Sequence, residues 1–156
     1  MVREFSIQNY TIQNIMMTPG YNIRIKVEGK YLVGVTQDDV NITPVSKSSI
    51  TKDDSGIKKE SIQAHDTEFS IAGLLEVAAD GNTQLDGDDV IALAYLSGSS
   101  AVLDIEYIRA SGAKYTGTGT ITGYTESSPA DPDSDTTYSL NILSHDMALA
   151  TTVNNG

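Results

Sequence analysis

The sequence predicts a mainly β domain of antiparallel strands with a single α-helix, and three observations lead there. Apolar and polar residues alternate through 21–27, 101–109 and 113–125, a period of two that buries one face and wets the other. Turn-forming residues punctuate these runs at Pro19 and Gly20, at Glu28 and Gly29, and across 129–135. Only 90–97 carries helical spacing, with a capping residue before it and a glycine after it to stop it. At 156 residues the chain fits one domain, 1–156.

Residues 1–20 hold Phe5, Ile7, Tyr10, Ile12 and Ile15 at irregular spacing, which reads as an N-terminal arm, at most one short strand. Ile23, Ile25 and Val27 then alternate with Asn22, Arg24, Lys26 and Glu28, and a second run from Lys30 to Thr36 is rich in β-branched and aromatic residues. A third alternating run, 38–43, is expected to end at Pro44. Three short strands in succession favour an antiparallel meander. A polar excursion follows over 44–61, rich in Ser, Lys and Asp but carrying Ile50 and Ile57. A structureless loop of that length is uncommon in a compact domain unless it has a task. The isoleucines favour an extended loop or hairpin lying on a partner.

An apolar strand returns at 68–75. The acidic stretch 80–89 feeds the helix, which Asp86 can cap, whose positive end Asp88 and Asp89 favour, and which Gly98 can stop. Read instead as a calcium loop with Asp89 in its last position, the stretch puts Ala78 at the first ligand and Thr83 where the turn glycine belongs. It is therefore read as a helix cap, and no metal is expected. In 101–109, Leu103, Ile105 and Tyr107 share one face, with Asp104 and Glu106 opposite. In 113–125, Lys114, Thr116, Thr118, Thr120, Thr122 and Tyr124 are expected to face away from Tyr115, Gly117, Gly119, Ile121 and Gly123. A last strand spans 137–143, and 144–156 reads as a C-terminal tail.

Twenty-one acidic against ten basic residues give a formal charge of −11, a surface that repels phosphate backbones and disfavours specific nucleic-acid binding. With no cysteine there is no disulfide and no thiolate chemistry. No run approaches the length of a membrane span, and residues 1–6 are not followed by the apolar run of a signal peptide. Gly117 and Gly119 lack the spacing and helix start of a phosphate loop. The only histidines, His65 and His145, each precede an aspartate that a strand would point to the opposite face. With no nucleophile signature beside them, neither catalysis nor a cofactor is expected.

The order of these pieces resembles the major tail protein (tail tube protein) family of long-tailed bacteriophages. The resemblance rests on the glycine-led strand from Gly29 to Thr36, the loop residues Lys52, Asp53, Asp54, Ser55 and Gly56, and the pair Lys59 and Glu60. Phe69, Ser70 and Ile71 followed by Gly73 and Leu74, the threonine and glycine repeat of 115–121, the loop 129–135 and the strand 137–141 continue it. It spans about 21–142. It implies an antiparallel β-sandwich or barrel with one flanking helix, and a virion protein assembled in the bacterial host cytoplasm. It further implies six copies per ring, rings stacked into a tube, other tail proteins at the tube ends, and DNA passing through without specific binding. Lys47, Ile50, Lys52, Asp53, Asp54, Ile57, Lys58, Lys59 and Glu60 are then the expected contacts between copies. Asp104 and Glu106 are the expected acidic lining of the channel. The inner tube of a contractile injection system shares this pattern. A monomeric extracellular β-sandwich that binds glycans is the reading from another class, and it needs a cluster of exposed aromatics.

Overall fold

The computed structural model describes residues 24–49, 58–78 and 81–151. Its strands run β1 (Arg24–Val27), β2 (Lys30–Leu32), β3 (Val35–Ser49), β4 (Lys59–Leu74), β5 (Gln84–Leu85), β6 (Leu103–Ile108), β7 (Lys114–Ser127), β8 (Thr137–Ser144) and β9 (Ala148–Thr151). The helix α1 (Gly87–Ala94) and a 3₁₀ turn (Gly98–Ala101) lie between β5 and β6. All strands join one sheet in the order β3-β4-β8-β7-β6-β1-β2-β5, with β9 also on β7. Every pairing is antiparallel except that of β2 with β5.

The sheet curls over its own core. Laid flat, β4 and β6 would stand roughly 14 Å apart, three strand spacings. Instead the Phe69 ring of β4 sits 5.8 Å from the Tyr107 ring of β6. Ile25, Val27, Phe69, Ile71, Leu103, Ile105, Leu140 and Ile142, contributed by β1, β4, β6 and β8, therefore share one buried cluster. Leu85 and Val90 close it from β5 and α1. This is the sandwich or barrel with one flanking helix that the sequence led us to expect, left open between its end strands.

Chain connectivity ties those ends together at one corner. β2 lies next to one end of the sheet and β3 at the other, and only Val33 and Gly34 separate them. The Val33 N–H donates to Leu85 O (3.0 Å) and the Leu74 N–H to Gly34 O (2.8 Å). The buried Tyr138 hydroxyl donates to Val33 O (3.0 Å), and burial pushes its pKa up to about 12. Gly34 holds φ 71°, and a Cβ there would collide with the Leu74 carbonyl.

Several expectations need correction. β2 does not continue a meander into β3, because the Gly34 corner sends the chain across the fold to pair with β4. Pro44 does not end its strand. Its partner is His65 in a ladder continuous from Gln37 to Val45, and because a proline cannot donate, the pair must be one in which the backbone groups of Pro44 face away from β4. Such a residue belongs on an edge strand, and β3 is one. The helix ends at Ala94 with Tyr95 as its C-cap, a turn before Gly98. Part of the acidic stretch forms β5, and the tail contributes β9, too short and too weakly patterned to be read in advance. The arm 1–20 lies outside the described residues.

Two left-handed glycines allow a controlled comparison. Gly29 (φ 75°) has open space where its Cβ would be, whereas Gly34 does not. Gly29→Ala should cost about 1 kcal/mol from backbone conformation alone, and Gly34→Ala roughly 2–4 kcal/mol. Thermal unfolding of both variants checks this; equal losses would show that the corner is not the constraint described.

Candidate assembly surface

β3 and β4 form a hairpin that outruns the rest of the sheet. Their ladder extends from Val35 opposite Gly73 to Ser49 opposite Lys59, while β8 covers β4 only from Thr67 to Leu74. Beyond Thr67 the ribbon has no third strand among the described residues, and it projects roughly 20 Å, seven residues of rise. Residues 41–49 and 60–63 are exposed throughout. Ile42 and Ile62 show 60% and 62% of their surface to solvent. A lone two-stranded ribbon is marginal in water, so this one carries apolar side chains without a core to receive them.

The expected contact residues divide across this ribbon. Lys47 is exposed on β3, opposite Ser61. Lys58 pairs with Glu60 at 3.1 Å, both well exposed, an ion pair worth little by itself. Lys59 opens β4 opposite Ser49. Ile50, Lys52, Asp53, Asp54 and Ile57 lie outside the described residues.

The outer surface of the sheet splits into two chemically different faces. Across β1, β6 and β7, Glu106 stands between Lys26 (3.4 Å) and Lys114 (2.6 Å). Burial alone would raise its carboxyl pKa, but hydrogen bonds and charge from Lys114 and Lys26 outweigh burial and hold it below the usual range. Arg24 and Lys26 also lie over the Tyr31 ring, at 5.3 and 4.6 Å. Asp104 is exposed on the same strand. The structure thus pairs Glu106 with two lysines, while Asp104 stands exposed on the same face.

Across β3, β4, β8 and β7 the outer face is different. One cross-strand row reads Asp39, Ser70, Asn141, and the next reads Asn41, Glu68, Leu143. Gln37, Ala72, Ser139 and Thr125 make a third. Lysine and arginine are absent from these three rows. Sequence reading missed this face because each strand shows only an ordinary wet side; the cation-free surface exists only once the register is known.

No protein-family model and no curated protein sequence matches the chain. Solved structures do. A chain in the tail of an empty gene transfer agent (GTA) particle, computed with helical refinement and C6 symmetry, is 18% identical with a TM-score of 0.60, covering 88% of this chain and 100% of that one. The SPP1 tail tube, a hybrid solid-state NMR and cryo-EM structure, is 8% identical with a TM-score of 0.60, covering 88% and 81%. This is the tail-tube fold. A chain of the sheath–tube complex of PVC, an extracellular contractile injection system, in its extended state shares it at 11% identity and a TM-score of 0.58, covering 94% and 100%.

Within this tail-tube fold, one carboxylate ties β7 to the end of β8. Asp146 accepts from the Thr118 N–H (2.6 Å), the Thr118 hydroxyl (2.7 Å) and the Ser144 hydroxyl (3.1 Å). It bridges the gap where the chain leaves β8 and rejoins β7 as β9. Gly117 must lack a Cβ, which would stand 2.8 Å from Asp146 Oδ1 and 2.9 Å from Met147 Cα. His145 beside it contacts Asp66 of β4 through Nδ1 at 2.6 Å, so the histidine meets the aspartate of the other His-Asp step. Among the described residues no group of three or more His, Cys, Asp or Glu side chains could hold a metal ion.

The bonds from Thr118 and Ser144 lower the Asp146 pKa against a smaller opposing effect of burial. A depressed folded-state pKa contributes stability above the unfolded value near 4, lost as pH falls through the folded value. Asp146→Asn should cost about 1 kcal/mol at pH 7, kept small by the exposure of the site. Denaturant melts from pH 7 to pH 3 should show the gap between wild type and variant closing on acidification; a constant gap would deny the carboxylate this role.

Proposed function

We propose that this chain is a structural tail-tube subunit of a phage-like virion, self-assembling into six-membered rings that stack into a hollow tube. The observation that carries the reading is the β3–β4 hairpin, whose outer half projects apolar side chains that nothing among the described residues covers. In a stacked tube that ribbon reaches a neighbouring copy, with Lys47, Lys58, Lys59 and Glu60 and the segment 50–57 as the contacting residues. The likeness to chains of tail and tube assemblies supports the same reading.

The cation-free face of β3, β4, β8 and β7 is the wall we assign to the channel. Asp39 and Glu68 repel phosphate there, and the hydroxyl and amide side chains between them offer no charge to grip a passing duplex. Of the carboxylates expected from sequence to line the channel, Glu106 is compensated by its lysines and suits an outer wall better. DNA then slides during ejection without being bound. Other tail proteins cap the tube ends.

A second reading, the inner tube of a contractile injection system, draws on the likeness to the PVC sheath–tube chain. Both require the same subunit behaviour, and the cargo separates them.

Replacing 48–58 with a two-residue Asn-Gly turn tests the reading. The shortened chain should keep its circular dichroism spectrum and stay monomeric, while the parent forms rings and tubes in negative stain. Normal tubes from the shortened chain would overturn the assignment of the hairpin.

A further inference from the structure

A cleft of about 600 Å³ opens onto the core where the sheet is left unclosed. One side is the β1–β2 end of the sheet, through Arg24 and Leu32, and the other is the start of β3, through Val35 and Asp38; Ile25 and Ile71 form the floor. Both floor residues belong to the buried core, whereas Val35 is 40% exposed. An opening of that size onto apolar side chains runs against the close packing of protein interiors. Among the described residues no strand fills it. β3 pairs only with β4, and Asp38, Val40 and Ile42, which share the parity of Pro44 in that continuous ladder, turn their backbone groups away from β4. β6 meets β1 as far as Ile108 opposite Arg24 and then turns into β7, the Arg109 N–H donating to Ala113 O (2.9 Å).

We propose that residues 12–23 of the same chain fill this cleft, with Tyr21 and Ile23 continuing the core-side face of β1 into it. The inference stands apart from the tube-subunit reading, because the cleft belongs to a single subunit. Connectivity names the occupant: Arg24, on the lip, is the first of the described residues, so Ile23 is covalently held at the opening. A second copy would have to bring its own segment there against that high effective concentration. Periodicity selects the side chains that enter. Ile25 and Val27 are buried and Arg24 exposed, and Tyr21 and Ile23 share the parity of the buried pair. Register sets what they meet. Lys26 stands opposite Tyr31 and Val27 opposite Lys30; carried upstream, the same pairing puts Ile23 level with Gly34 and Tyr21 level with Thr36, both in the cleft lining. Because Gly34 sends the chain away from β1 to join β4, the segment meets β3 through side chains, and the backbone edge over 38–42 stays open. Pro19 and Gly20 then reverse the chain, bringing Ile12, Ile15 and Met16 back over the mouth. Composition agrees. Residues 5–23 contain no Asp, Glu, Lys or Arg in a chain that is 20% charged, which is not the make-up of a solvated arm. Nothing in the segment sets a like charge against Asp38 or Arg24.

Photocrosslinking on the full chain tests this. Benzoylphenylalanine replaces Val35 on the lip, and unlabelled and nitrogen-15-labelled chains are unfolded, mixed and refolded together before irradiation. Crosslinks should fall within 12–23 of a chain carrying the same label. Peptide pairs of mixed label would give the cleft to a second copy and overturn the proposal, as would crosslinks that miss 12–23. A second measurement needs no probe. Ile23→Asp, which puts a charge into the cleft, should lower the thermal midpoint by about 5 °C or more, while Ile7→Asp, outside the segment, should leave it within about 1 °C. Equal shifts in the two variants, or none in Ile23→Asp, overturn the proposal, and this pair decides should the Val35 variant not fold. Wild-type protein that never forms rings would overturn the tube reading and leave this one standing.

Discussion

Backbone hydrogen bonding along β3 is the constraint on which the rest of this molecule depends. Among the described residues this fifteen-residue strand has one partner, and its other side presents a row of N–H and C=O groups, the feature that invites further strands to add. No other strand among the described residues covers this row. The fold limits it instead: Pro44 removes a donor midway, and Asp38 turns a carboxylate toward the core side, where burial raises its pKa. Both are recognised ways of discouraging indiscriminate edge pairing. What remains open is a short, directional edge, suited to one partner in one orientation.

The chemistry of the surface follows from that geometry. Curling of the sheet around Phe69, Ile105 and Ile142 separates two outward faces that the flat sequence interleaves. One gathers Arg24, Lys26 and Lys114 around Glu106; the other, on β3, β4, β8 and β7, gathers Asp39 and Glu68 with hydroxyls and amides. A uniformly acidic subunit would repel its own copies at every contact. Segregating charge leaves one face with carboxylates and no cation in its three rows, while the other carries compensated pairs.

Much of the architecture was legible in the residues. The alternation of Leu103, Ile105 and Tyr107 with Asp104 and Glu106, and the cap of α1 by Asp86, whose carboxylate accepts from the Asp89 N–H at 3.1 Å, follow local rules and came out as read. Pairing did not. That β2 hands the chain to the opposite edge depends on Gly34 and on the bond between Tyr138 and Val33, 105 positions apart, and no local pattern encodes that meeting. β9 has four residues and is placed by Asp146, whose acceptor role is invisible until Thr118 lies beside it. The hairpin was legible as an anomaly, isoleucines in a polar run, and its strands became visible only through register. That Asp104 and Glu106 share a face was legible, but not that Lys26 and Lys114 stand across from Glu106, because a sequence shows which face a residue shares along one strand and not what lies on the next.

Amide hydrogen exchange on β3, compared between free subunits and assembled tubes, tests the central claim most directly. Asp39 and Asn41, whose N–H groups point to β4, should be protected in both states. Asp38, Val40 and Ile42 should exchange quickly in the free subunit and become protected on assembly, giving an alternating pattern. Protection of all five in the free subunit, or continued fast exchange of Asp38, Val40 and Ile42 in tubes, would contradict the view that this chain completes its sheet with copies of itself.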